Sequence, residues 1–392
     1  MSRLRKKPDI VMFYKDGENY LAEFVLQNKN YVVFEPSKKN AVLDPLFYLS
    51  SIYFITLCLT GTSSFKNPSK SIKVFFQRIF AFYFSLRVKK FCPKLVLTYI
   101  DNSIYFHLTK AFCPNIVFVA VQNGGRHAWC ATRYKFNGCI KYNVDHYFCF
   151  GRYVRDNFMS HNHSIGSYHV VGSLLSSIFD SQTECSISKQ EERYQICLIS
   201  QWAAHLTDAA APPKDWPSFP VVSDLLARYI DRYCQEKNAS VCVALRTTDI
   251  REREYFSRRI SVPVVFSSSS NRMDFSSYEA ANRSAVVIGM NSTLITEMFS
   301  MKKRVMFFNP FGDQWLLTTK NIGLWSLVSA DYCDFKERLD VLSVISDEDY
   351  LDLALGEIDH NCYFNSEGSA RFLIESWISK FLKQDTFLAT KK

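Results

Sequence analysis

The sequence predicts an α/β chain of two facing Rossmann-like domains with parallel sheets, closed by C-terminal helices. Three observations carry this. Short apolar runs alternate with helical stretches twice along the chain, as parallel sheets require. A polar, Ser-rich stretch from Gly172-Ser173 to Gln190 separates the two series. The run Ala285 to Met290, the polar Asn291-Ser292-Thr293 and the apolar Val305 to Phe308 form a strand–helix–strand unit, whose crossover is right-handed. The expected organisation is a first domain over 1–172, a linker over 173–190, a second domain over 191–345, and helices over 346–392 that pack back on the first domain.

In chain order, Ile10 to Tyr14, Leu21 to Leu26 and Tyr31 to Glu35 read as strands around the turn Lys15–Asn19. Two long helices follow, near 44–60 and 69–91. Lys94 to Ile100 is a buried strand running into Asp101-Asn102-Ser103, which caps a helix over Ile104–Phe112. Ile116 to Val121 is the next strand and ends in Gln122-Asn123-Gly124-Gly125-Arg126-His127. Further strands fall at His146–Phe150 and Tyr168–Val171, then at Gln195–Ile199, Val241–Leu245, Val262–Phe266, Ala285–Gly289 and Val305–Phe308. Helices lie at Ser223–Lys237, Arg251–Arg259, Ser276–Arg283 and Glu367–Lys383.

The bulk properties narrow the function. At 392 residues, 47% hydrophobic and 22% charged, the chain can bury two cores. A net charge of +9 favours anionic partners, but no nucleic-acid motif is present, so nucleic acid is not an expected partner. The twelve cysteines are scattered singly, without C-x-x-C or zinc spacing. They read as buried thiols of a reducing cytoplasm. Arg3, Arg5, Lys6 and Lys7 precede no apolar leader segment, so no signal peptide is expected. Pro45 to Gly61 is uncharged and apolar, a little short of the roughly 20 residues a spanning helix needs, and reads as a buried or interfacial helix in preference to a membrane-inserted one. The stretch 66–90 mixes Phe and Ile with Lys66, Lys70, Lys73, Arg78, Arg87, Lys89 and Lys90. It reads either as a basic aromatic helix lying on an anionic membrane face or as a core helix with a solvated basic edge.

Candidate site residues sit where strands end. Asp101 is a candidate general base or a helix cap. In the next turn, Gly124 and Gly125 allow close backbone approach, Arg126 can fork onto an anion and His127 can titrate near neutral pH. In the second half Gln201 follows one strand, Arg246 ends the next, Asn291-Ser292-Thr293 follows the fourth and Asn309 the fifth. These converge on one edge as a nucleotide phosphate pocket requires, although Asn291 and Ser292 also serve simply to cap a helix. Glu297 reads either as a ribose ligand or as an exposed helix carboxylate. Asp208 and His205 fall in a loop after Trp202. There is no G-x-G-x-x-G, P-loop or G-x-S-x-G, and Asp347-Glu348-Asp349 after Ser346 reads as an acidic first helical turn, not a metal site.

Taken in order, Lys94-Leu-Val-Leu-Thr-Tyr-Ile-Asp-Asn-Ser103, Val121-Gln-Asn-Gly-Gly-Arg126, Phe150-Gly-Arg-Tyr153, Val171-Gly-Ser-Leu174, Ile199-Ser-Gln-Trp202 and Gly289-Met-Asn-Ser-Thr-Leu-Ile-Thr-Glu297 resemble a bacterial surface-carbohydrate biosynthesis family. Its members are similar to GT-B glycosyltransferases, including retaining β-Kdo transferases that use a CMP-activated sugar. The resemblance spans about residues 94 to 310; Gly125 departs from it, a larger residue being common there. It implies a donor nucleotide in the second domain, an acceptor glycan against the first and reaction in the cleft. With no zinc-spaced cluster and no D-x-D metal site, the expected activity is a metal-independent glycosyltransferase, cytoplasmic and, on the membrane-face reading of 66–90, peripheral at the inner membrane. The donor would be a nucleotide sugar, CMP-linked by preference, with no separate cofactor. The acceptor would be a lipid-linked or oligosaccharide chain of lipopolysaccharide or capsule. Asp101, Asp208 and His127 would be catalytic; Gln201, Arg246, Asn291, Ser292, Thr293, Glu297 and Asn309 would hold the donor; Asn102, Asn123, Gly124, Gly125 and Arg126 would meet acceptor or sugar. The rivals are a nucleotide-sugar epimerase, a polyol-phosphate transferase of the same fold, and a non-catalytic assembly scaffold.

Overall fold

The computed structural model describes residues 7–59, 72–126, 141–183, 194–202, 219–269, 274–317, 319–363 and 369–389. His127, His205, Asp208, Lys66 and Lys70 lie outside these, as does the 184–190 part of the expected linker.

Twelve strands form two six-stranded sheets. The first holds β1 (Ile10–Phe13), β2 (Tyr31–Phe34), β3 (Leu95–Thr98), β4 (Val117–Val121), β5 (Asn143–Cys149) and β6 (Ser164–Val170) in the order β2-β1-β3-β4-β5-β6. The second holds β7 (Tyr194–Ile199), β8 (Val241–Leu245), β9 (Val264–Ser268), β10 (Ser284–Gly289), β11 (Val305–Phe308) and β12 (Ser326–Leu327) in the order β12-β11-β10-β7-β8-β9. Every pairing is parallel. The strands are apolar runs such as Val-Cys-Val-Ala-Leu in β8, all five residues buried, because helices cover both faces of such a sheet. Strand order reverses between β1 and β3 in the first sheet and between β7 and β10 in the second. Ligands of open α/β sheets bind outside the carboxyl ends of the strands at those reversals.

Two elements differ from the sequence reading. Leu21–Leu26 is not a strand; Glu18–Phe24 is a helix that buries Tyr20, Leu21 and Phe24. That i, i+1, i+4 spacing is one helical face, and the helix is the crossover that makes β1 and β2 parallel. The Ser-rich stretch after Gly172 is likewise no irregular linker at its start: Leu174–Thr183 is a helix with Leu174, Ile178 and Phe179 buried. Its serines satisfy themselves locally, Ser177 Oγ donating to Leu174 O at 3.0 Å and Ser181 Oγ to Ile178 O at 2.8 Å.

This helix joins the halves. Phe179 packs on Phe275 and Tyr278 of the second half, with ring centroids 5.7 and 5.3 Å apart. The last helix, Ala370–Ala389, buries Ile374 and Ile378 in the core of the first sheet.

The helix Pro45–Leu59 is packed on one side only. Phe54 is buried against the helix Ile72–Phe91, whereas Leu49, Ile52 and Tyr53 are 66%, 64% and 58% exposed. The second helix buries Ile79, Phe82, Tyr83, Phe84 and Val88. It is therefore a core helix with a basic edge, and the exposed apolar face belongs to its neighbour. No helix among the described residues is long and apolar enough to cross a membrane.

Candidate functional site

The carboxyl edges of the two sheets meet. The Gly125 N–H, in the turn after β4, donates to Thr293 Oγ1 at 3.0 Å, at the start of the helix Thr293–Ser300 after β10. A Cβ on Gly124 would lie 3.0 Å from the same oxygen, so the turn approaches this closely because residue 124 has no side chain. Thr293 Oγ1 accepts this bond and keeps its own O–H to donate.

At the reversal of the second sheet, Gln201 after β7 and Asn291 after β10 form a reciprocal amide pair. Gln201 Nε2 donates to Asn291 Oδ1 at 2.6 Å, and Asn291 N to Gln201 Oε1 at 2.9 Å. Asn291 Nδ2 reaches Trp315 O at 3.0 Å. Ser292 caps the helix, its hydroxyl accepting from Leu294 N. Cap and candidate phosphate contact are thus the same residue: a hydroxyl that accepts from the helix can still donate outward. Arg246 stands exposed at the end of β8. Its backbone is held by Glu252, a buried carboxylate that accepts from Arg246 N and Thr247 N, each at 2.8 Å, and from the Ser200 hydroxyl. Sequence reasoning missed Glu252, which ties the ends of β7 and β8 together from the first turn of a helix.

Asp101 is neither a cap nor an exposed base. Ser103 caps the following helix, accepting from Phe106 N at 3.2 Å. The Asp101 side chain is fully buried and paired with Arg126. Arg126 Nε donates to Asp101 Oδ2 at 3.0 Å and its Nη2 to Oδ1; Tyr147 OH donates to Oδ2 at 2.7 Å and Asn123 N to Oδ1 at 3.2 Å. The guanidinium also reaches Asn123 Oδ1 at 2.8 Å and Gly125 O at 3.0 Å. Arg126 therefore folds back on the turn it belongs to. A buried carboxylate without a counter-charge is too costly to leave, and Arg126, expected from the sequence to meet acceptor or sugar, supplies that charge to Asp101. Burial and the Asp101 charge push the Tyr147 hydroxyl far above its ordinary range, so it stays a donor. His107 fixes the backbone, its Nε2 lying 2.7 Å from Asp101 O while Asn143 N donates to Nδ1 at 3.1 Å. Burial lowers its pKa, and the neutral ring with its proton on Nε2 satisfies both contacts. Gln122 completes the turn, donating to Gly124 O at 2.7 Å and accepting from Phe150 N at 2.9 Å.

Glu297 is not the exposed carboxylate of one sequence reading. It is buried, accepting from the Ser173 hydroxyl of the first half and from Tyr278 OH at 2.6 Å. Burial raises its pKa to about 7, against the two hydrogen bonds that lower it. Asn309 is buried too, and its amide closes its own turn, donating to Asp313 O at 3.1 Å and accepting from Asp313 N at 2.9 Å. Asn102 is exposed beside Asp101. Asp347-Glu348-Asp349 forms a helical first turn capped by Ser346. The nine cysteines among the described residues are free thiols.

Comparison with known proteins places this geometry. A family model described as "putative O-antigen biosynthesis protein" matches residues 119–364, more than half of the chain. The chain belongs to this O-antigen biosynthesis family. No curated protein matches it. Among solved structures, the Staphylococcus aureus MnaA–UDP complex shares 11% identity over 98% of both chains with a TM-score of 0.57. UDP-GlcNAc 2-epimerase from Neisseria meningitidis, bound to UDP-GlcNAc, shares 13% identity over 94% of this chain and 99% of that one, with a TM-score of 0.55. The Rickettsia bellii UDP-N-acetylglucosamine 2-epimerase shares 12% identity over 96% of both, with a TM-score of 0.54. At such identities the likeness carries the fold: two facing Rossmann-like units of GT-B type.

Proposed function

We propose that this member of the O-antigen biosynthesis family is a glycosyltransferase that binds a nucleotide sugar on its second half and transfers the sugar to a glycan held by the first. The observation that carries the reading is the Gln201–Asn291 pair with Ser292 and Thr293, which stands at the reversal of the second sheet and is met there by the Gly124-Gly125 turn. The start of the Thr293–Ser300 helix and two hydroxyls suit a phosphate. Held in place before reaction, they would stabilise charge on a departing phosphate. Arg246, exposed at the next strand end, is the guanidinium available to it. Asp101 acts through Arg126 and the turn, as a positioning residue. Asp208 and His127 are the remaining candidates for acid–base work. The neighbours named with UDP or UDP-GlcNAc make a uridine nucleotide the first donor to try; none of them supports the CMP-linked donor implied by the family resemblance.

An epimerase is the second reading, favoured by end-to-end likeness to epimerase structures. Incubation of the full-length protein with UDP-sugars is expected to release nucleotide only when an acceptor glycan is added. Conversion of the sugar without acceptor would replace transferase by epimerase.

The exposed face of Pro45–Leu59 supports a peripheral seat on an anionic membrane, where lipid-linked acceptors reside. Each large aliphatic that leaves water there contributes about 1.5–3 kcal/mol, and Lys73, Lys89 and Lys90 are exposed on the helix Ile72–Phe91 packed beside it. Wild-type protein is expected to float with anionic vesicles, and Leu49→Asp with Ile52→Asp to abolish flotation without lowering Tm. Flotation that survives the double substitution would remove this face as the seat, and concentration-dependent dimerisation lost in the variant would assign it to self-association.

A further inference from the structure

A cavity of about 610 Å³ opens beside the carboxyl ends of β5 and β6, bordered by Phe148, Arg152, Arg155, His169, Trp377 and Lys380. This lies well inside the roughly 300–1,000 Å³ typical of small-molecule sites. Its cations come from two separate elements: Arg152 and Arg155 from the helix Arg152–Ser160, and Lys380 from the last helix. They meet because Ile374 and Ile378 bury that last helix on the first sheet. No carboxylate lines the cavity among the described residues. Arg155 pairs outward with Asp156 at 2.8 Å, but Arg152 and Lys380 form no ion pair among the described residues. Arg152 and Lys380 are exposed on the rim, so both can turn toward an anion that enters the cavity without first breaking an ion pair to a described residue.

The wall is aromatic and fixed. Phe148 stacks on His169 at 4.6 Å, and Trp377 meets Phe148 edge-on at 5.5 Å while stacking on Phe381 at 5.4 Å. His169 Nε2 and His146 Nδ1 lie 3.2 Å apart, and burial with that neighbour lowers His169 to about 4. The ring is therefore neutral at pH 7 and adds hydrogen bonding, not charge. Apolar surface beneath a cationic rim suits a compact ring with C–H faces, hydroxyls and one or two acidic groups. The cavity also adjoins the site. Val171 in its wall leads through Gly172 to Ser173, which bonds Glu297, and Phe150 bonds Gln122 of the Gly-Gly turn.

We propose that this cavity is a subsite for an anionic sugar, a pyranose bearing a carboxylate or a phosphate, gripped by Arg152 and Lys380 beside the half-buried Trp377 ring, which Phe148 supports from beneath. It deepens the glycosyltransferase reading, on which it rests for its biological sense, by assigning the first half an acidic residue of the acceptor glycan. Calorimetric titration of the full-length protein tests it with trigalacturonic acid, glucose 6-phosphate, neutral maltotriose and inorganic phosphate. One of the two acidic sugars is expected to bind 1:1, and the tighter of them identifies the acidic group. Maltotriose is expected not to bind. Arg152→Gln with Lys380→Gln, both exposed positions, is expected to weaken the acidic sugar at least tenfold while Tm and nucleotide affinity are unchanged; Lys380→Gln alone gives a partial loss. Absence of binding by either acidic sugar overturns the proposal, as does equal binding by the double variant. Inorganic phosphate binding as tightly as the sugars overturns it too, since the cavity would then recognise only charge. Nucleotide titration reads the other half of the molecule, so loss of the transferase reading and loss of this subsite give different results.

Discussion

Asp101→Ala is expected to lower the stability of the first half by about 3–5 kcal/mol, the usual cost of leaving one member of a buried ion pair alone. The Arg126 side chain is 8% exposed and Asp101 is fully buried, so water cannot replace the lost partner. The Tyr147 hydroxyl and the Asn123 N–H lose their acceptor in the same step. Asp101→Asn keeps the shape and one acceptor oxygen, and is expected to cost less than the alanine while still leaving the Arg126 charge unbalanced. Removing both charges together, Asp101→Leu with Arg126→Met, is expected to cost less than Asp101→Ala alone. Urea unfolding of the three variants checks the order. An alanine variant within about 1 kcal/mol of wild type would contradict the buried pair as the support of this turn.

The second large effect depends on pH. Glu297 titrates near 7 in the folded protein because it is buried, against an ordinary value of 4.5. Between these values the unfolded chain has released a proton that the folded chain retains. The contribution is therefore complete below about pH 4.5 and is lost as pH rises through 7. A shift of this size corresponds to something on the order of 3 kcal/mol. Glu297→Gln mimics the protonated acid, offering one donor and one acceptor to Ser173 and Tyr278. The variant is expected to match wild type near pH 4 and to exceed it by on the order of 3 kcal/mol near pH 8. Denaturant titrations of both proteins across that range measure the difference. A difference that does not change with pH would mean that Glu297 titrates alike in the folded and unfolded chains, so that its burial leaves its acidity unchanged.

Legibility followed the range of the interactions. The strands were readable because each is an apolar run bounded by polar turns, and β8 and β11 fall where the sequence reading puts them. Leu21–Leu26 misled because a short apolar cluster satisfies both periodicities. The helix after Gly172 misled because its serines look like a linker until their local carbonyl partners are seen. At the site, sequence located the turns but not the destination of their charges. Arg126 lies 25 residues from Asp101, Tyr147 lies 46 from it, and Ser173 lies 124 from Glu297. Only the fold brings those groups together, and it turns two candidate ligand contacts into internal supports. Gln201 and Asn291, 90 residues apart, were legible as strand-end polar residues because strand order alone sends both to the same edge.

The proposed nucleotide seat at the carboxyl edge of the second sheet is tested by calorimetric titration of the whole chain with UDP, CMP, CDP, GDP and ADP. One of these is expected to bind 1:1, raising the unfolding free energy by about 2.7 kcal/mol at a hundredfold excess over Kd. Ser292→Ala with Thr293→Val is expected to weaken it at least tenfold, since hydrogen bonds to charged groups contribute about 1.5–3 kcal/mol each. Failure of every nucleotide to bind, or equal binding by the double variant, would remove the nucleotide from this edge.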